Sequence, residues 1–186
     1  MKTPALAVVR ILATLLFGVA FGQTGSGKRT TDIPPDLLAV VQNEPDIKGC
    51  LADQNLPLEK VAHYSWLDLG RPHEPPALLV EGLPPCLAGN VNRTTFLYVR
   101  TGKGWRKVFD STGVLKLGTT RTRGWPDLTL WRHGSADSGD EYTYQFDGNV
   151  YKATACFSVW YPEDGGPDAK PTRTPCDWDW KAQESW

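Results

Sequence analysis

The sequence predicts a mainly β fold, in which antiparallel hairpins form a sandwich or curved sheet from two similar units, with one short N-terminal helix. Short runs rich in β-branched and aromatic residues follow one another over residues 61–160, separated by Gly, Pro, Asn and Asp. Residues 141–147 alternate strictly, so that Tyr142, Tyr144 and Phe146 fall on one face. The even number of cysteines is typical of a disulfide-bonded exported domain.

The N-terminal segment has the pattern of a signal peptide. Lys2 and Arg10 flank a short basic region, an uncharged apolar run follows over residues 11–21, and Ala20 and Gly22 supply the small residues of a cleavage site. A buried core helix is the alternative interpretation of this run, which is too short to span a bilayer. We expect residues 1–22 to be removed on export to the periplasm or the exterior. Residues 23–31 then form a flexible leader, and residues 32–186 form a single mainly β domain.

Composition and charge restrict the partners that we expect. The formal net charge of −1 includes no basic excess of the kind that nucleic acid or anionic membranes attract. No second apolar stretch approaches the roughly 20 residues that a membrane span needs. The chain has no C-x-x-C pair and its histidines lack zinc-ligand spacing, so we expect no metal and no cofactor. The expected partner is an unknown glycan, peptide or protein.

Four cysteines, which can pair in three ways, lie beyond the signal peptide. The sequence alone does not choose among the pairings. Proximity along the chain favours Cys50 with Cys86 and Cys156 with Cys176. Each bond would stabilise the fold by roughly 3–4 kcal/mol in the chain-entropy view.

One helix and eight strands are predicted in order along the chain. Thr31 or Asp32 can cap the helix, Pro35 suits its first turn, and Pro45 ends it near Glu44. The predicted strands follow at residues 61–69, 77–81, 94–100, 104–109, 114–117, 127–132, 141–146 and 150–160.

Two of the predicted hairpins indicate an internal duplication. The strand at residues 141–146 turns at Asp147-Gly148 and pairs with residues 150–160. A second hairpin joins residues 96–100 to 105–109 around Gly102. The units at residues 76–105 and 126–151 share this layout, although chance similarity between two copies is the alternative interpretation.

A family resemblance accompanies this duplication, carried by Trp66-Leu-Asp-Leu-Gly70, Pro76-Ala-Leu-Leu-Val80, Gly124-Trp-Pro-Asp-Leu128 and Tyr144-Gln-Phe-Asp-Gly148. These segments resemble exported bacterial proteins whose repeats are similar to FG-GAP or VCBS blades. The resemblance implies a β architecture and a periplasmic or extracellular setting, and no catalytic activity. Such blades often hold calcium, but here residues 68–74 supply only Asp68 and Glu74 as carboxylates, so we expect no calcium site. Two units cannot close a propeller.

The predicted functional segment is residues 133–142, a polar stretch between two strands. We predict an exported, non-enzymatic binding module that uses this segment as a recognition loop, whereas a solvated hairpin loop is the structural alternative. The candidate binding residues are His133, Ser135, Asp137, Ser138, Asp140 and Tyr142, together with Trp131 on the preceding strand.

Two other functions use the same segment. A hydrolase acting on cell-wall or plant polysaccharide could use His133, Asp137, Asp140 or Glu141 as acid and base, and Ser135 or Ser138 with His133 could serve acyl transfer. None of these residues lies in a recognisable catalytic motif. The stretch Ser138-Gly-Asp-Glu-Tyr142 also resembles the Ser-Gly-x-x-Tyr phrase of periplasmic lysozyme inhibitors, whose exposed loop enters the lysozyme cleft.

Overall fold

The computed structural model describes residues 33–162, 170–177 and 179–180. The predicted signal peptide and leader lie outside these residues. Within the described ranges three short helices, α1 (Pro35–Gln42), α2 (Pro45–Gln54) and α3 (Leu58–Val61), precede the strands. The strands are β1 (Ala62–Leu67), β2 (Ala77–Gly82), β3 (Thr94–Thr101), β4 (Gly104–Thr112), β5 (Val114–Thr122), β6 (Trp125–His133), β7 (Ser138–Phe146), β8 (Tyr151–Trp160) and β9 (Thr172–Pro175).

The strands form two antiparallel sheets in which each strand pairs with its neighbours in the sequence. Sheet 1 has the order β1-β2-β3-β4, and sheet 2 has the order β5-β6-β7-β8-β9. This arrangement confirms the predicted mainly β fold, and the two segments predicted to be a duplication, residues 76–105 and 126–151, lie in different sheets. The alternation predicted for β7 is also confirmed, because Tyr142, Tyr144 and Phe146 are all buried.

The helices and the two sheets form three layers around two cores. The first core packs the helices on one face of sheet 1, with Leu37, Ile47 and Tyr98 among its buried members. The second core lies between the sheets and includes Leu97 of β3 and Tyr142 of β7. Alternation along the strands therefore leaves the other face of sheet 2 pointing away from both cores. We call it the outer face.

The helical region is more extensive than the sequence pattern indicates. α1 ends at Gln42, before Pro45 as predicted, but its N-cap is Pro34, which makes no side-chain capping bond. The predicted caps, Thr31 and Asp32, lie outside the described residues. Pro45 is also the first residue of α2, because proline lacks the N–H that a helix start leaves unpaired. Neither α2 nor α3 was predicted.

Both favoured disulfide pairings are present. Cys50 of α2 bonds to Cys86, and Cys156 of β8 bonds to Cys176, with Cα–Cα distances of 5.8 and 5.5 Å. The first bond ties the helices to the segment after β2, and the second holds the segment after β9 against sheet 2. In the described part of the chain, no helix is long and apolar enough to cross a bilayer.

Candidate functional site

The segment predicted as a recognition loop is mostly strand. His133 ends β6 and Ser138 begins β7, so only residues 134–137 connect them. Gly139 pairs with His133 on one side and with Val159 of β8 on the other. The loop prediction is wrong in its extent because backbone pairing on both sides draws these polar residues into the sheet.

Alternation along β7 separates the acidic residues of this segment. Asp140 and Tyr142 lie on the face that points between the sheets, whereas Glu141 lies on the outer face. The Asp140 carboxylate accepts a hydrogen bond of 2.9 Å from the Ser158 hydroxyl. Tyr142 has no exposed surface and cannot contact a ligand. The two neighbouring carboxylates therefore cannot face one another across a bound sugar.

The connecting loop uses its polar groups internally. The Ser135 hydroxyl lies 2.5 Å from Asp137 Oδ1 and 2.5 Å from the Ser138 hydroxyl. The backbone N–H and C=O of His133 both bond to the Asn92 side chain, at 2.8 Å each. Asn92 thus continues the backbone ladder at the end of β6 and holds the loop in position.

A half-buried tryptophan ring and an exposed tyrosine ring lie beside this loop on the outer face. The Trp131 side chain lies over Gly139, where an added Cβ would be 2.5 Å from indole atom Cζ2. The Tyr161 ring meets the Trp131 ring edge-on, with centroids 6.2 Å apart at 81°. Tyr161 is 48% exposed, and its N–H donates a 2.7 Å hydrogen bond to the Asp137 carbonyl. We call Trp131 and Tyr161 the outer platform.

The outer platform lies in a shallow groove of about 320 Å³, lined by Val114, Lys116, Thr129, Trp131, Glu141 and Tyr161. The Glu141 carboxylate is ion-paired with Arg173 of β9. Arg173 also stacks on the Phe157 ring at 4.7 Å, which holds the carboxylate in place. The groove thus combines flat apolar rings with an ammonium group, a hydroxyl and a fixed carboxylate.

The structure brings together only part of the predicted site. Trp131 lies in the groove, while Ser135, Asp137 and Ser138 lie in or beside the short loop, and Asp140 and Tyr142 face inward. Lys116, Thr129 and Tyr161 are groove residues that sequence reasoning missed. Alternation in β6 signals Thr129, which shares a face with Trp131. No local pattern identifies Tyr161, because its position depends on a backbone hydrogen bond to Asp137 in the β6–β7 connection.

Asp140 also lies close to the sulfur atoms of Cys156 and Cys176. Both sulfurs belong to the disulfide and are not thiolates, so this group is not a metal-ligand set.

Comparisons with protein-family models, curated proteins and solved structures found no match to this chain. The function must therefore be inferred from the chemistry of the site.

Proposed function

We propose that this protein is an exported, non-catalytic glycan-binding module whose outer platform receives the apolar face of a sugar ring. The observation that carries this proposal is the edge-on pair of the half-buried Trp131 and the exposed Tyr161 in one groove with Glu141. The likeness to FG-GAP and VCBS repeats is compatible with such a role and remains a proposal.

The groove offers both kinds of contact that a sugar requires. The C–H face of a pyranose ring packs on a flat aromatic ring, while its hydroxyl groups need hydrogen-bond donors and acceptors. Trp131 can supply the flat surface, Lys116 a donor and Glu141 an acceptor. Because Gly139 and Asp137 hold the two rings in place, little conformational freedom would be lost on binding.

The positions of the groove carboxylate and of residues 138–142 favour glycan binding over glycoside hydrolysis and over lysozyme inhibition. Glycoside hydrolysis uses two carboxyl groups roughly 5–10 Å apart across the bond, whereas the residues lining this groove include one carboxylate, Glu141, paired with Arg173. The hypothesis that the protein is a lysozyme inhibitor requires an exposed loop at residues 138–142. That stretch lies within β7, with Gly139 under Trp131 and Tyr142 buried.

The two disulfides support export as the setting for this role. Disulfides form and persist in oxidising environments, which include the periplasm and the exterior of the cell. We propose the periplasm or the extracellular space as the site of action, where cell-wall or environmental glycans are available.

The direct test is a binding panel with matched aromatic variants. Wild-type protein is incubated with insoluble chitin, cellulose and peptidoglycan, and soluble oligosaccharides of any retained polymer are then titrated by calorimetry. Trp131→Ala and Tyr161→Ala should each weaken binding about tenfold or more, because aromatic anchors dominate interface energies. Trp160→Ala removes a 54% exposed tryptophan that does not line the groove and should bind as wild type does.

Two results would contradict the proposal. One is wild-type protein that binds none of the three polymers. The other is a glycan affinity unchanged in both Trp131→Ala and Tyr161→Ala.

A further inference from the structure

A second pocket lies at the other end of β6, between the start of that strand and the β3–β4 hairpin of sheet 1. Its volume is about 410 Å³, and its lining includes Arg71, Arg100, Arg106, Glu74 and Trp125. The β1–β2 connection, the β3–β4 hairpin and the start of β6 all contribute. We call Arg71, Arg100, Arg106 and Trp125 the cationic mouth.

The positive charge of the cationic mouth is only partly compensated. Arg71 pairs with Glu74 at 3.0 Å, and Arg100 lies 3.8 Å from Asp36, with both of these side chains about half exposed. Arg106 makes no ion pair with any residue that the structure describes. Its guanidinium donates to Asn149, and its buried Nε has no acceptor in the described part of the chain.

The unpaired Nε of Arg106 among the described residues indicates that this pocket can bind an anion. Arg106 is half-buried, and a buried N–H without an acceptor is costly, so an anion bound in the pocket would supply the acceptor that Nε lacks among the described residues. The chain as a whole carries a formal net charge of −1, so the local excess of arginine does not reflect a generally basic protein. Arg121 beside the pocket adds a further cation, which donates to the backbone carbonyls of Leu69 and Gly124.

The wall of the cationic mouth is rigidly packed. The Trp125 ring stacks on Phe146, with centroids 4.0 Å apart at 20°. The Arg71 guanidinium lies over the Trp125 ring at 3.8 Å. Packing and cation–π contact therefore hold the pocket in shape before any ligand arrives.

We infer that the cationic mouth binds the oxyanion group of an organic anion about the size of a monosaccharide. Arg106 and Arg100 donate to the carboxylate, sulfate or phosphate group, whose geometry matches the planar guanidinium fork. The organic part occupies the rest of the pocket beside Trp125. This site is separate from the outer platform, so ligand binding at each of the two sites can be tested independently.

Nuclear magnetic resonance of protein labelled with ¹⁵N at tryptophan tests the site at constant ionic strength. The Trp125 indole signal, assigned with Trp125→Phe, is followed during titration with glucuronate, sodium sulfate and glucose. Glucuronate and sulfate should shift it saturably, and glucose should not. Tighter binding of glucuronate supports an organic anion, whereas equal or tighter binding of sulfate overturns the organic part of the inference.

Variants of single arginines complete the test. Arg106→Gln should weaken glucuronate about tenfold, the effect of losing one charge-assisted interaction. Arg93→Gln removes the same charge from an exposed position at the opposite end of β3 and should bind as wild type does. If Arg106→Gln does not fold, Arg100→Gln, whose side chain is 51% exposed, takes its place.

The inference is overturned if glucuronate gives no saturable shift, if glucose shifts Trp125 equally, or if the pocket variant binds as tightly as Arg93→Gln. Binding of neutral oligosaccharides at the outer platform should be unchanged in Arg106→Gln. Failure of one site is therefore distinguishable from failure of the other.

Discussion

Gly139→Ala disturbs the outer platform without removing any group that would contact a ligand. An added Cβ would lie 2.5 Å from the Arg132 carbonyl oxygen and 2.5 and 2.8 Å from two Trp131 ring atoms. Non-bonded carbon atoms settle about 3.5–4.0 Å apart, so the indole and the neighbouring strand must both shift. The aromatic ring stays on the protein but leaves the position that the glycan proposal requires.

The size of the effect follows from this overlap. Forcing an extra methyl group into a packed site costs about 1–3 kcal/mol. Replacing glycine by alanine also restricts the unfolded chain and returns roughly 0.4–1 kcal/mol. Gly102→Ala is the matched control, because nothing lies within 4 Å of its added Cβ. The difference between the two variants therefore isolates the steric cost.

Thermal unfolding followed by circular dichroism measures this difference. For a chain of 186 residues, Gly139→Ala should melt roughly 2–12 °C below Gly102→Ala, since each 1 kcal/mol corresponds to about 2–4 °C. Gly139→Ala should also bind glycan more weakly. Equal melting temperatures for the two variants, with wild-type binding by Gly139→Ala, would refute the placement of Trp131 over Gly139.

Three further predictions concern the elements that support the site. Asn92→Ala removes both side-chain bonds to His133 and should lower the free energy of unfolding by about 1–3 kcal/mol in urea titration; an unchanged midpoint would contradict this. The double change Cys156→Ala/Cys176→Ala should cost about 3 kcal/mol in the same assay, and full wild-type stability would exclude a structural role for the bond. Backbone N–H donors in the turn lower the pKa of Asp147, so its stabilisation is present above the usual carboxyl pKa and is lost as pH falls through the lowered value. Asp147→Asn should therefore lose less stability than wild type between about pH 5 and pH 3, and identical pH profiles would argue against the effect.

Elements in which the periodicity of the side chains and the residues of the following turn agree were predicted correctly. Tyr142, Tyr144 and Phe146 alternate with polar residues, and Asp147-Gly148 supplies a turn in which Gly148 has a φ of 112°. The disulfide pairs follow from proximity along the chain once the sheets form. These local signals were sufficient to predict the fold class.

The sequence pattern was less informative where tertiary contacts override local composition. α2 carries a weak apolar stripe, with Ile47 and Cys50 as its buried residues, and its start at Pro45 was interpreted only as the end of α1. Ser138, Gly139 and Asp140 are residue types common in turns, but all three pair with β8, and Gly139 and Asp140 also pair with β6. Pairing partners distant in the sequence decide such cases, and local propensity does not report them.

The candidate site was predicted only in part for a similar reason. Trp131 was identified from its aromatic strand, but its place on the outer face, where it is half-buried, depends on which face of sheet 2 the core covers. Tyr161 reaches Trp131 through a backbone bond to Asp137 that no local motif encodes. A surface assembled from β5, β6, β7 and the end of β8 becomes visible only when the register of the sheet is known.

A crystal structure with the tightest-binding oligosaccharide of the panel would show whether the outer platform is the glycan site. We predict a sugar ring packed on Trp131, bordered by Tyr161, with a hydroxyl group hydrogen-bonded to Glu141 or Lys116. An oligosaccharide bound at any other surface, with the outer platform empty, would contradict it.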